Sequence, residues 1–198
     1  MKYISLDIET LGLNPEDCDV IEIGAIVEDT ANYRPRAELP TFHCYVNKEN
    51  YRGNIFALAM NAHILKKILE LRKPDADGIF RGNKEAFLLS PESIAEVFLK
   101  FLKNNNYLDT KPVIAGKNVA GFDLPFLNVC IPDWKYIKFH HRVIDPGMLY
   151  FNPLSDTVPP DLKECKKRAG LPEMVTHEAL DDAWDVIQLV RVAYPILK

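Results

Sequence analysis

Lys2-Tyr3-Ile4-Ser5-Leu6-Asp7-Ile8-Glu9 opens the chain, and its reading decides the architecture. Ile4, Leu6 and Ile8 alternate with Tyr3, Ser5, Asp7 and Glu9, so a strand's period of two sets the two carboxylates side by side on one face. A first strand of this kind is expected to be central in its sheet, and carboxylates buried there need cations. The turn-rich stretch Leu11 to Asp19, with Gly12, Asn14 and Pro15, leads into a second strand, Val20 to Glu28. Thr41 to Val46 reads as a third, which makes the start of the chain an antiparallel meander.

Helical patterns take over further along. Leu58 to Leu71 has helical periodicity, and Ser90-Pro91-Glu92-Ser93 is a helix start before Ile94 to Leu102. Between them, Arg72 to Leu89 mixes Pro, Gly and charge and reads as a loop with hairpin or helical pieces. Pro112 to Gly116 is a short apolar strand, Phe122 to Cys130 a helix, and Arg142 to Asp145 one more short strand. Pro160 to Ala169 and Ala179 to Tyr194 are closing helices, with Gly170 stopping the first. Strands followed by helices around a mixed sheet are an α/β architecture. The chain lacks a Gly-rich phosphate loop, a G-x-S-x-G elbow and an HExxH motif, so the chemistries those carry are not expected.

Size and composition narrow the class. At 198 residues, 47% hydrophobic and 26% charged, the chain is expected to form a single domain over 1–198, with a helical and loop insertion around 50–110. No apolar run approaches a membrane span, and MKYISLDIE is too polar for a signal peptide, so no membrane partner is expected. Cys18, Cys44, Cys130 and Cys165 have no metal-binding spacing and read as reduced thiols, which points to a cytoplasmic protein. The net charge of −4 would argue against a polyanionic partner, but four candidate metal ligands alone supply that charge. Three basic clusters, Lys66-Lys67 with Arg72-Lys73, Lys135 to Arg142, and Lys163 to Arg168, read as solvated faces.

Three residues beyond the first strand complete a site. Asp123 precedes Leu124-Pro125 and reads as a helix N-cap, a position compatible with facing a metal. On the last helix, steps of about 100° place Asp182 inside the apolar stripe, whereas Asp181 falls outside it, with Asp185 and Gln188 on the solvated side. A carboxylate on a buried helix face is costly unless paired or metal-bound. His177 precedes this helix and must act from the loop side, while His43, His63, His140 and His141 lack comparable companions. Converging carboxylates hold Mg²⁺-like cations beside a phosphate, and a pair of ions can clamp both the attacking and leaving oxygens. An imidazole can take the proton from attacking water near neutral pH. The residues therefore point to a metal-dependent nuclease. The alternative is a non-catalytic nucleic-acid-binding or polymerase-docking module, which loss of one of these five residues would favour.

The pattern resembles the DEDDh group of 3′–5′ exonucleases, which includes proofreading exonucleases, RNase T and oligoribonuclease. The resemblance rests on Leu6 to Leu13, Asn118 to Leu127 and His177 to Ala183, with weaker echoes at Val143 to Pro146 and Leu162 to Leu171. It implies an RNase H-like fold, a mixed sheet of about five strands flanked by helices. It also implies two Mg²⁺ or Mn²⁺ ions organised by Asp7, Glu9, Asp123 and Asp182, with His177 as general base. Asp7 would bridge both ions, Glu9 and Asp182 would support the one that activates water, and Asp123 would act through water. The implied substrate is nucleic acid with a free 3′ end, single-stranded DNA or RNA, with a polymerase as a further candidate partner. Thr10, Leu13, Asn61, Asn118 and Phe122 are the expected substrate contacts. Two departures stand out: Leu11 before Gly12 where Thr is commoner, and Met60-Asn61 where many members place a base-stacking histidine.

Overall fold

The computed structural model describes residues 1–73, 86–107 and 111–195. Its elements in chain order are β1 (Lys2–Thr10), β2 (Val20–Asp29), β3 (Thr41–Val46), α1 (Ile55–Met60), α2 (Ala62–Leu71), β4 (Phe87–Leu89), α3 (Pro91–Asn104), β5 (Val113–Ala115), α4 (Asp123–Cys130), α5 (Pro146–Leu149), α6 (Leu162–Arg168) and α7 (Ala179–Ala193). They build a mixed five-stranded sheet of order β4-β3-β2-β1-β5, flanked by helices. β1–β2 and β2–β3 pair antiparallel, β1–β5 and β3–β4 parallel. The meander is as expected, but β2 rather than β1 holds the middle of the sheet, and β1 is an inner strand between β2 and β5.

Both faces of β1 are nonetheless covered. Ile4, Leu6 and Ile8 enter a core with Ile23, Phe42, Phe98, Phe126 and Trp134, where α3 and α4 pack. Phe98 holds its centre, edge-on to Phe42 at 5.0 Å and 4.7 Å from Trp134. Tyr3 on the opposite face joins Ile26, Ala115, Leu180, Ala183, Val186 and Ile187 under α7. The Ser5 hydroxyl donates to the Ala183 carbonyl at 2.7 Å, satisfying a polar atom that burial would otherwise penalise. A third cluster of Leu11, Ile21, Tyr45, Ile64 and Ile68 seats α2 at the end of the sheet. The β1–β2 register shifts between Glu9 and Thr10, a bulge at the point where the strand delivers its last carboxylate.

Several expectations need correction. The helix expected over Leu58 to Leu71 is two, because Asn61 ends α1 and begins α2. Of the segment read as loop, residues 74–85 lie outside the described residues, and Phe87–Leu89 is a strand rather than loop. Arg142 to Asp145 contributes only a bridge, Ile144 with Ala115, because the chain turns at once into α5, opened by Pro146 and capped by Asp145. Asp123 is the first residue of α4 and Phe122 occupies the cap position. Gly170 follows α6 with φ of 69°, as its reading as a stop requires. All four cysteines are free. Among the described residues no helix is long and apolar enough to cross a membrane.

Candidate active site

β1, α4 and α7 converge at one cleft. Asp7 and Glu9 leave the same face of β1, Asp123 starts α4, and Asp182 sits in the first turn of α7. These four and His177 line a cavity of about 510 Å³. A larger cavity of about 680 Å³, between Met1, Tyr33, Met148 and Tyr194, has a mostly apolar wall with Asp145 as its one carboxylate among the described residues, whereas four carboxylates meet in the smaller one.

The approach of α7 to the sheet sets this convergence. Gly24 on β2 pairs with Asp7, and a Cβ there would fall 2.5 Å from the Ala179 and Leu180 backbone. The Ala179 N–H donates to Glu22 Oε2 at 3.1 Å, and Glu22 Oε1 lies 2.6 Å from His43 Nε2. His43 therefore has a companion, contrary to its reading as an isolated histidine. Glu22 is fully buried, and period-two alternation from Gly24 could have flagged it as facing α7. His177, two residues ahead of α7, is exposed and left-handed at φ 52°, with its carbonyl 3.3 Å from His63 Nε2. Ligand atoms of Glu9, His177 and Asp182 all lie within 4.8 Å of one another.

The electrostatics are those of an uncompensated acidic cluster. Burial, followed by the charges of Asp123, Asp182 and Glu9, pushes the Asp7 carboxyl well above the usual range. Burial and then Asp182 and Glu22 raise Glu9 to about 8. Asp123 rises to about 8 through burial, although backbone N–H groups at Asp123 and Ile8 oppose it. Asp182 rises to about 7 through burial and then Asp185, against the opposing charge of Lys166. Its Oδ1 is buried without a hydrogen-bond partner, an orphan that a cation would satisfy. An all-carboxylate donor set suits a hard divalent ion.

The other expected residues divide. Thr10, Leu13 and Phe122 line the cavity, Leu13 with 83% of its surface exposed. Asn61 does not: it is buried, and its Nδ2 donates to the Thr10 carbonyl at 2.9 Å, bracing the end of β1. Asn118 is exposed and off the cavity wall. Its backbone N–H donates to Asp145 Oδ2 at 3.0 Å. Sequence position brought both near the site but could not give side-chain direction. Phe56, Met60 and Lys117 also line the cleft. Phe56, 85% exposed on a helix of apolar residues, carried a signal in that surplus of hydrophobic surface, whereas Lys117 had none.

Of the other two carboxylates of α7, one follows its reading and one departs from it. Asp181 is half-exposed and pairs with Arg36. Asp185 is tucked in, not solvated, against Lys166 from the supposedly solvated Lys163 to Arg168 face.

No family model matches the chain. It is 28% identical over 179 residues to the oligoribonucleases of Shigella flexneri and of Escherichia coli strain K12, covering 90% of this chain and 86% of theirs. Among solved structures, E. coli exonuclease I in a zinc-bound complex with single-stranded DNA superposes with a TM-score of 0.58 at 18% identity, over 98% of this chain and 41% of that one. The same enzyme with a dA16 oligonucleotide gives 0.58 at 17% identity, again over 98% and 41%. The chain thus spans about two fifths of the length of exonuclease I.

Proposed function

We propose that this chain, which belongs with the DEDDh 3′–5′ exonucleases, hydrolyses the terminal phosphodiester of a single-stranded nucleic acid and releases nucleoside 5′-monophosphates. The observation that carries the reading is the meeting of four acidic side chains and one exposed imidazole in a single cleft, with a buried carboxylate oxygen of Asp182 left without a partner. The names of the relatives, oligoribonuclease and an exonuclease bound to single-stranded DNA, support a nucleic-acid strand as the substrate, and attack at its 3′ end follows from the resemblance of the motifs. Residues 1–198 are proposed to act as one exonuclease domain, in which the segment around 50–110 supplies α1 as an apolar wall of the cleft.

In this proposal Asp7, Glu9, Asp123 and Asp182 hold two Mg²⁺ or Mn²⁺ ions. When bound, such ions neutralise phosphate charge and make water a better nucleophile. The residues of the chain do the rest. The imidazole of His177 takes the proton from water as its oxygen attacks phosphorus. The P–O3′ bond breaks, the shortened strand keeps the 3′ oxygen, and the mononucleotide leaves with its 5′-phosphate. Leu13, Phe56 and Met60 offer apolar surface to the terminal bases, and Thr10 holds the loop through its hydroxyl bond to the Gly12 carbonyl at 2.7 Å.

The test is a gel of 5′-labelled DNA and RNA strands with Mg²⁺, Mn²⁺ or EDTA. Stepwise shortening with either ion and none in EDTA is expected, and undiminished cleavage in EDTA sinks the metal requirement. His177→Ala should lower turnover roughly 10²–10⁴-fold while Mn²⁺ affinity is kept. Because His177 lies close enough to Glu9 and Asp182 to share an ion, lost affinity would make it a ligand rather than the base.

A further inference from the structure

Lys166 is an ammonium in the wrong place for a surface lysine. It lies on α6 among Lys163, Lys167 and Arg168, yet only 4% of it is exposed. Burying such a charge is costly unless it is paired and hydrogen-bonded, so its partners define what it does. It has two. One is the Asp185 carboxylate on α7, one turn beyond Asp182; the other is the Met174 carbonyl, in the segment between α6 and α7 that carries His177. Residues 171–178 of that segment have neither helix nor strand, so local structure does not fix the histidine.

We propose that Lys166 is the positioning residue for His177: it pins Met174 to α7 and so fixes the start of the short run that presents the imidazole to the cleft. The end of that run is fixed separately. The Ala179 N–H is held by Glu22, and Glu178 pairs with Lys67 on α2 at 2.7 Å. Between Met174 and Ala179 lie four residues, at most about 3.5 Å each when extended, and His177 is among them in a left-handed conformation. With both ends held, the imidazole has few places to go. With Met174 released, the segment could swing about Ala179. The pair with Glu178 is half-exposed, and the 3.3 Å contact of His63 with the His177 carbonyl is exposed, so both are weak by comparison and the buried Lys166 contact is the firm anchor.

This inference rests on His177 being the base, and a double-mutant cycle separates the two. Lys166→Met alone would strand Asp185 as a buried charge and could fail to fold, so the working variant is Lys166→Met with Asp185→Asn. In the otherwise unchanged protein it should lower kcat about 10- to 100-fold, the scale of a misplaced catalytic group, with KM within about twofold. In a His177→Ala background the same double change should cost less than about twofold. Asp185→Asn alone keeps the ammonium and its bond to Met174, and the amide Oδ1 still accepts from Nζ so that the ammonium is not stranded; this variant should retain the wild-type rate. Equal losses in the two backgrounds, or a loss from Asp185→Asn matching the double variant, would overturn the role of Lys166. A His177→Ala enzyme that keeps the wild-type rate would instead overturn the base assignment itself.

Discussion

Two sets of buried carboxylates stand a few residues apart and are treated in opposite ways. Asp19, fully buried beyond the end of β1, receives Lys48 at 2.7 Å, the Arg52 N–H at 2.7 Å and the Arg52 guanidinium at 3.1 Å. Burial alone would raise it, but these donors hold its carboxyl below the usual range. Glu28 at the far end of β2 likewise takes Arg191 and the Asp29 N–H, each at 2.7 Å. Asp7, Glu9, Asp123 and Asp182 receive no lysine or arginine within 4 Å among the described residues. Where the chain needs a buried acid for its own stability, it supplies the cation. Where it withholds one, the missing charge is to come from outside.

The sharpest way to break this comparison is to neutralise one member of each set. Asp182→Asn should lower exonuclease turnover on the order of 10³-fold, because an amide loses most of the charge that holds a divalent ion. Activity close to wild type would place Asp182 with the structural acids.

The next effect is on stability. Glu9 and Asp123 near 8 and Asp182 near 7 are raised above the roughly 4 of an unfolded carboxylate, so between those values the folded state holds more protons than the unfolded one. Stability of the metal-free protein must then fall as pH rises from about 5 to 8, and Mg²⁺ or Mn²⁺ should reverse the loss. Melting temperatures in EDTA that climb over this window would contradict the uncompensated state of the cluster.

Asp19→Asn should show the converse, costing about 2 kcal/mol of stability, since its partners still reach solvent, while turnover stays near wild type. Chemical denaturation with and without EDTA measures it, and a variant as stable as the parent would remove Asp19 from the compensated set. The smallest effect expected is that of Asp181→Asn, a change within about twofold in rate, because its Arg36 pair is half-exposed. A loss matching that of Asp182→Asn would mean the helix face had been read wrongly.

What could be read ahead of the structure depended on periodicity. Alternation placed Asp7 and Glu9 together on β1, and the apolar stripe of α7 singled out Asp182 from Asp181. Features that need strand register or chain reversal were not legible. Glu22 meets His43 only because β2 and β3 pair in one register, with Gly24 opposite His43. Lys166 turns inward on a seven-residue helix too short and too charged to show a stripe, and it made Asp185 look solvated. β4 has three residues and α5 four, below the length at which a pattern can be distinguished from a loop. Position in the chain puts Asn61 and Asn118 near the cleft, yet the Asn61 side chain braces the Thr10 carbonyl and Asn118 is itself held through its backbone N–H by Asp145.

Gly24 carries no chemistry, yet it sets the tolerance to which the site is assembled. The clearance it gives the first turn of α7 is that of a hydrogen atom, and Asp182 and the His177 turn ride on that turn together. A single methyl at this position would act as a shim, lifting the turn that carries Asp182 away from the strands beneath it. Drift in the sequence can therefore spare every acidic residue and still leave the assembly out of alignment, from a strand that never touches the substrate.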